Sequence, residues 1–428
     1  MFRALGHRNF RLFFAGAFLS NAGTWMQSVA QSWLVLQLTD SGTWLGVDTF
    51  VATAPALVLT LVGGVIADKV DRKRLLIFTQ VGAGLSALTL AALVWAGAIR
   101  WEGAARRPSD VWMVLLLSFV TGCCWAISGP SYQAITFDLV EREDLANAIA
   151  LNSSQFQLAR VIGPTLAALT MRAFGMAGCF LANGLSYAAI VAALSRVKFE
   201  RRRAAAGVEK VEAEKAEVKN VQVEKVARRS MWEDLAEGFR YVSGRPRVGA
   251  LLLNSAVVGL FGVPYLVLLP LFARNVYGWD EAGLSLLTGT AGAGALVGAL
   301  GLAYLGDVRG KGPIQLAAMT AGGLCIVGLA LAPTPRAAVP LLFATGMSMV
   351  GFFALGNTLL QQLVRDEMRG RVMSMWILTF VGTMPVGSFL SGAAADRFGP
   401  RPALAACGLV VLLFGLTTAF RNPRLREM

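Results

Sequence analysis

The chain has 428 residues, 55% of them hydrophobic and 15% charged, with a net charge of +13. Soluble domains carry a smaller apolar share, roughly 45–50%, so this composition excludes an ordinary cytosolic protein. The excess of basic residues sits between apolar runs, as orientation signals do, which argues against a nucleic-acid partner.

In chain order, the first half holds apolar runs at about 12–38, 43–67, 75–98, 111–137, 145–171 and 174–195. The second half holds them at about 248–273, 282–306, 313–333, 337–362, 372–395 and 402–420. Each is close to the ~20 residues that cross a bilayer as a helix. The expected fold is therefore an all-α membrane protein with twelve transmembrane helices in two six-helix bundles, over 1–196 and 248–428. Between them, 197–247 reads as a cytoplasmic linker. It contains Glu200-Arg201-Arg202-Arg203 and a Val/Glu/Lys-rich run from Val208 to Val226, with Glu and Lys at helix-compatible spacings. Trp232 to Tyr241 reads as a short amphipathic helix on the membrane surface. The amino terminus does not resemble a cleavable signal peptide, because Arg8 and Arg11 lead into an apolar run too long for one.

Placing the amino terminus inside gives the short inner loops and tails about twice the Lys and Arg of the outer loops. Both termini are thus expected in the cytoplasm. The halves echo each other. Leu139-Val140-Glu141-Arg142-Glu143, before the fifth run, matches Leu363-Val364-Arg365-Asp366-Glu367, before the eleventh, and at the same offset Gly163 corresponds to Gly387. Such a parallel repeat is a transporter architecture. The five cysteines all fall inside apolar runs without metal-ligand spacing, and His7 is the only histidine. No phosphate-binding Gly-x-x-x-x-Gly-Lys-Ser/Thr element is present. The chain is therefore expected to be neither an enzyme nor nucleotide-driven, and to need no cofactor or metal.

The elbow between the second and third runs is Gly63-Gly64-Val-Ile-Ala67-Asp68-Lys69-Val70-Asp71-Arg72-Lys73-Arg74. It resembles the signature loop of the major facilitator superfamily, with Gly64, Ala67, Asp68, Arg72 and Lys73 in place and Asp71 where that pattern has glycine. Further stretches narrow the likeness: Ser20 to Gln27, Leu145 to Ser153, Ala159-Arg160-Val-Ile-Gly163-Pro164, and Arg369-Gly370-Arg371-Val-Met-Ser374. Together they resemble the bacterial exporters of the enterobactin, macrolide and drug efflux group. The span-five antiporter pattern is only partly present, since Ala159 and Ala167 replace glycines, and span four has no arginine. The resemblance implies that Gly64, Asp68, Arg72, Lys73 and Asp138 form a conformational latch, with Arg72 bonding Asp138 at the inner end of span four. It also implies a cavity lined by spans one, four, seven and ten.

Helical spacing puts neutral polar and aromatic groups on one face of each of those spans. They are Thr24, Gln27 and Gln31; Trp125 and Tyr132; Asn254, Phe261 and Tyr265; and Phe353, Asn357 and Gln361. Such a lining suits an amphipathic small molecule better than a small ion, although the same groups can serve to bond helix to helix. Charges at membrane depth are functional candidates by default. Asp48 is the acid lying well inside a span, and Arg160 is the corresponding base, in the middle of span five. Asp48 is the candidate proton carrier, and Arg160 the candidate anion-binding or state-switching partner. The expected function is proton-coupled export of a drug or siderophore across the bacterial inner membrane by a monomer. A lipid or lysophospholipid transporter of the same fold and a non-transporting membrane sensor are the alternatives.

Overall fold

The computed structural model describes residues 3–59, 70–101, 103, 106–197, 237, 239–306 and 310–421. These residues are almost entirely helical, with no strand among them. In the first half, α1 is Arg8–Thr39, α2 is Gly42–Leu59, α3 is Arg72–Trp95, α4 is Val111–Leu139 and α5 is Leu145–Arg196. In the second half, α6 is Pro246–Val276, α7 is Glu281–Leu305, α8 is Lys311–Leu331, α9 is Pro335–Leu363, α10 is Asp366–Phe398 and α11 is Pro400–Arg421. Ten candidate membrane spans are found among the described residues. The 52-residue α5 is two helices run together, because Gly175 breaks it at φ 67° and ψ −173°. That backbone region is open essentially to glycine alone.

Local sequence sets the helix starts. The Asp71 side chain accepts from the N–H groups of Lys73 (2.8 Å) and Arg74 (3.1 Å), and so caps α3. The carboxylate that departs from the superfamily's glycine is therefore the helix cap of this chain. Asp280 caps α7 in the same way, at 3.1 and 3.2 Å from Ala282 and Gly283. Thr334 precedes Pro335 at the start of α9, where the missing proline N–H removes one unpaired donor. In the second half, α6 contains two π turns, Val258–Gly262 and Phe272–Val276, and α10 is interrupted at Gly382.

Small residues bring the helices into close approach, as expected where lipid offers no hydrophobic drive between them. The repeat seen in the sequence is kept in the packing. A methyl at Gly163 of α5 would meet Trp25 and Ala22 of α1, and one at Gly387 of α10 would meet Leu260 of α6. Likewise Gly122 of α4 abuts Ala52 of α2, and Gly346 of α9 abuts Ala291 of α7. Large apolar side chains such as Phe78, Leu169 and Phe420 are 63–77% exposed, which suits a rim facing lipid.

Two seams join the halves, α2 against α10 and α5 against α7. Under the repeat these are equivalent pairs. One end of the molecule carries the α1–α2 turn at Asp40, and the other carries the start of α1, the start of α6 and the end of α11. They are called the Asp40 face and the linker face below.

Candidate functional site

Asp48 lies on α2 with only 9% of its surface exposed. The Gln31 amide of α1 donates to both carboxylate oxygens, at 3.0 and 2.9 Å, and the Ser118 hydroxyl of α4 donates at 2.7 Å. The Gln31 amide is also 2.8 Å from the Ser118 oxygen. From Gln31 the network continues through Gln27 (3.3 Å) to Asn183 in the second limb of α5 (2.7 Å). An acid that would be costly alone at this depth is thus held by a neutral amide and a neutral hydroxyl from two neighbouring helices. The network lies wholly within the first half.

Arg160, on α5, is elsewhere. Its guanidinium stacks 5.3 Å over the Trp25 ring, whose edge meets Phe156 at 6.1 Å. Asp48 and Arg160 do not meet, and among the described residues no carboxylate pairs with Arg160. The Arg160 charge reaches the phenol of Tyr265 across the seam, on α6. Tyr265 is 2% exposed, and its hydroxyl lies beside the Arg160 guanidinium without an acceptor for its own hydrogen. Arg160's own carbonyl is pressed against α7, where a methyl on Gly292 would lie 2.7 Å from it.

The Asp40 face is bonded shut. The carboxylate of Asp396, on α10, accepts from the Ser41 hydroxyl (2.5 Å), the Gly42 N–H (2.5 Å), and the Thr43 N–H and hydroxyl (2.9 and 2.6 Å). It is an N-cap supplied to α2 by the other half of the chain. Arg274 at the end of α6 pairs with Asp40 and donates to the Leu36 carbonyl at 3.3 Å. These hydrogen bonds and this ion pair tie the halves together at the Asp40 face. Gly42 and Gly46 of α2 allow the approach: a methyl on Gly46 would strike the Ser388 carbonyl and come within 2.7 Å of the Phe389 Cα.

At the linker face, Arg72 donates to Asp138 at 3.3 Å. Lys73 donates to the carbonyls of Ser195 (3.0 Å) and Val197 (2.8 Å), closing the end of α5. Gly64 and Asp68 lie outside the described residues. The Arg72–Asp138 pair is formed here while the Asp40 face is shut, and both partners belong to the first half. Of the expected surface helix, Glu237 bonds Arg371 at 2.9 Å, and the Tyr241 hydroxyl accepts from the Arg365 N–H at 3.3 Å.

The expected cavity residues separate into groups. Thr24, Gln27 and Gln31 are taken up in bonds within the first half, Thr24 to the Ser20 carbonyl at 2.9 Å and to Tyr187 at 3.3 Å. Tyr132 packs 5.4 Å from Phe13. Asn254 is a correction to the expected lining: it is fully buried and accepts from Thr418 of α11 at 3.1 Å, in a helix seam. Tyr265 is likewise buried rather than lining open space. Phe261 packs on the main apolar core, and Phe353 sits among Phe352, Trp376 and Phe380, the last 4.3 Å away. Gln361 donates to Asn357 at 2.6 Å, and Trp125 is 54% exposed. A hollow of about 310 Å³ lies elsewhere, among α7, α8 and α9, lined by Leu302, Lys311, Leu355 and Thr358.

The profile of one family, described as transmembrane secretion effector, matches residues 1–428. The chain belongs to that family, within the major facilitator superfamily. The chain is 22% identical over 422 residues to the staphyloferrin A transporter of Staphylococcus aureus, covering 97% of each chain. It is 25% identical over 423 residues to the multidrug efflux pump Tap of Mycolicibacterium fortuitum, covering 96% of this chain and 95% of that one. It is also 25% identical over 412 residues to the enterobactin exporter EntS of Salmonella choleraesuis, covering 96% and 91%. Its fold matches the crystal structure of a D-xylose–proton symporter with a TM-score of 0.72 at 13% identity, covering 95% and 96% of the two chains. A POT family transporter matches with a TM-score of 0.69 at 12% identity, covering 98% and 96%.

The chain is accordingly a multi-pass membrane protein of a transporter family and not an enzyme. Sequence reasoning passed over Asp396, Ser118 and Arg274. Asp396 stands four residues after Gly392, just past the end of its apolar run, where an acid is not marked by depth in a span.

Proposed function

We propose that this protein is a proton-coupled exporter of amphipathic small molecules, of drug or siderophore type, in the bacterial inner membrane. The observation that carries the reading is the buried Asp48 carboxylate, held by Gln31 and Ser118 from two other helices and paired with no cation among the described residues. A carboxylate without a counter-charge at this depth is suited to carry a proton, since neutral amide and hydroxyl groups can support both its states. The names of the relatives, a siderophore transporter, a siderophore exporter and a multidrug pump, support the cargo class.

On this reading the chain is a monomer of twelve spans, obtained by counting α1 and dividing α5 at Gly175. They form two bundles, 1–196 and 248–428, joined by the 197–247 linker. The Lys/Arg bias assigns the linker face and both termini to the cytoplasm. The conformation bonded at Asp40 and Asp396 is then the one shut to the outside. The two bundles rock about the α2–α10 and α5–α7 seams to alternate access. Of the elbow residues, Asp68 acts as the latch of the opposite state, because the Arg72–Asp138 pair is already formed in this one.

The test is transport of rhodamine B, an amphipathic dye bearing a carboxylate, in proteoliposomes with an imposed pH gradient. Gradient-driven movement in the unmutated protein, lost in Asp48→Asn while dye binding is kept, is the expected result. Equal transport with and without the gradient would overturn the coupling.

A further inference from the structure

We infer that Arg160 is the anchor of an anion site in the α5–α6–α7 seam, and that the small molecule bound there carries a carboxylate or a comparable two-oxygen acid beside an apolar body. The inference rests on the transport reading for its cargo, but its geometry is independent of Asp48.

Arg160 sits at the middle of the first limb of α5, 15 residues from Leu145 and 14 from Phe174, and has no carboxylate partner among the described residues. A permanent cation at this depth demands compensation, and the stacking on Trp25 at 5.3 Å meets only part of it. That stacking covers one face of the plane and leaves its N–H edge, where the donors lie, to be matched. The second group is the Tyr265 hydroxyl, buried beside the Arg160 guanidinium, the one group among the described residues whose charge and N–H edge bear on it, and meeting no acceptor for its own hydrogen. Both are donors to any oxygen-rich ligand. A guanidinium fork takes two carboxylate oxygens at once, and a phenol hydroxyl beside it adds a third hydrogen bond.

The site spans the halves, with Arg160 in the first and Tyr265 in the second. Its backbone is fixed, since the Arg160 carbonyl abuts Gly292 and Val161 and Pro164 lie against Gly289. The walls are Trp25 and Phe156, which offer apolar area next to the charge. An amine would meet the wrong sign here, and a neutral molecule would leave the donors unpaired. The site therefore selects acids among amphipathic molecules of similar size.

The experiment is dye binding to the purified full-length protein, read by fluorescence anisotropy with rhodamine B and its ethyl ester, which differ in the free carboxylate. The unmutated protein should bind rhodamine B at least tenfold more tightly than the ester. Arg160→Gln should abolish that preference, Arg160→Lys should restore part of it, and Tyr265→Phe should weaken it severalfold with the melting temperature kept. Equal affinities for the two dyes, no binding of either, or a preference that survives in Arg160→Gln would overturn the inference. Should Arg160→Gln fail to fold, Tyr265→Phe decides alone. Selective binding without gradient-driven transport would leave the anion site standing and sink the export reading instead.

Discussion

Thr43 donates its N–H at 2.9 Å and its hydroxyl at 2.6 Å to the carboxylate of Asp396, 353 residues further along the chain. A helix start in one half is thus capped by an acid from the other, and α2 can keep this cap only while the Asp40 face stays shut. Truncating it with Asp396→Ala should cost about 1 kcal/mol, the usual worth of an N-cap. The halves should also separate at that end. Spin labels placed at Trp44 and Phe398 should report longer distances in the variant, and an unchanged distribution would refute a clamp.

The glycines of the two seams make a matched prediction. Gly46→Val drives a side chain into the Ser388 backbone, and Gly292→Val drives one into the Arg160 carbonyl. Neither backbone can yield cheaply, so both variants should lose transport while remaining inserted in the membrane. Gly301→Ala is the control, since a methyl there meets nothing within 4 Å. It should be tolerated, with up to about 1 kcal/mol gained from helix propensity. Normal transport by either valine variant would show that the close approach is dispensable.

Gln31 donates to Asp48 and reaches Ser118, so its removal should be felt through the acid. Gln31→Leu should destabilise the protein by about 1.5–3 kcal/mol, the range for hydrogen bonds to a charged group. In the background of Asp48→Asn the same change should be milder. A double-mutant cycle on melting temperature reads the difference. Strict additivity would mean that Gln31 serves α1 packing and not the carboxylate.

Gly175 lies between the two limbs of α5 at φ 67° and ψ −173°. Gly175→Ala should lower stability by about 1–3 kcal/mol, because a Cβ is strained in that region whatever space surrounds it. Nothing stands within 4 Å of the added methyl, so a loss would report the backbone and not a clash. A melting temperature equal to that of the parent would disprove this account.

The helices were readable in the sequence because hydrophobic run length is a strong signal in a membrane chain. The run at 372–395 falls within α10, and the break between 171 and 174 falls beside Gly175. The pairing Gly163 with Gly387 was also readable, and both glycines prove to be close-approach points of corresponding helices. The polar faces were legible only as periodicity. Spacing places Gln31 and Asn254 each on a wet-looking face, yet one holds Asp48 and the other is sealed against Thr418. Which neighbour a polar group meets depends on helix rotation, which a pattern along one chain does not contain. Asp396 was missed for a related reason: its four partners lie in the other half, so no local spacing marks it.

The two π turns of α6 flank Tyr265, at Val258–Gly262 and Phe272–Val276. Each is one surplus residue lodged in a helix, and the place of such a surplus sets the rotational phase of the residues beyond it. Moving one past Tyr265 would swing that side chain by about 100°, the angular step of one helical residue. The phenol would then leave Arg160's side of the seam. α6 is thus built less as a rod than as a screw with play in its thread, able to re-aim one ring while both of its ends stay where they are.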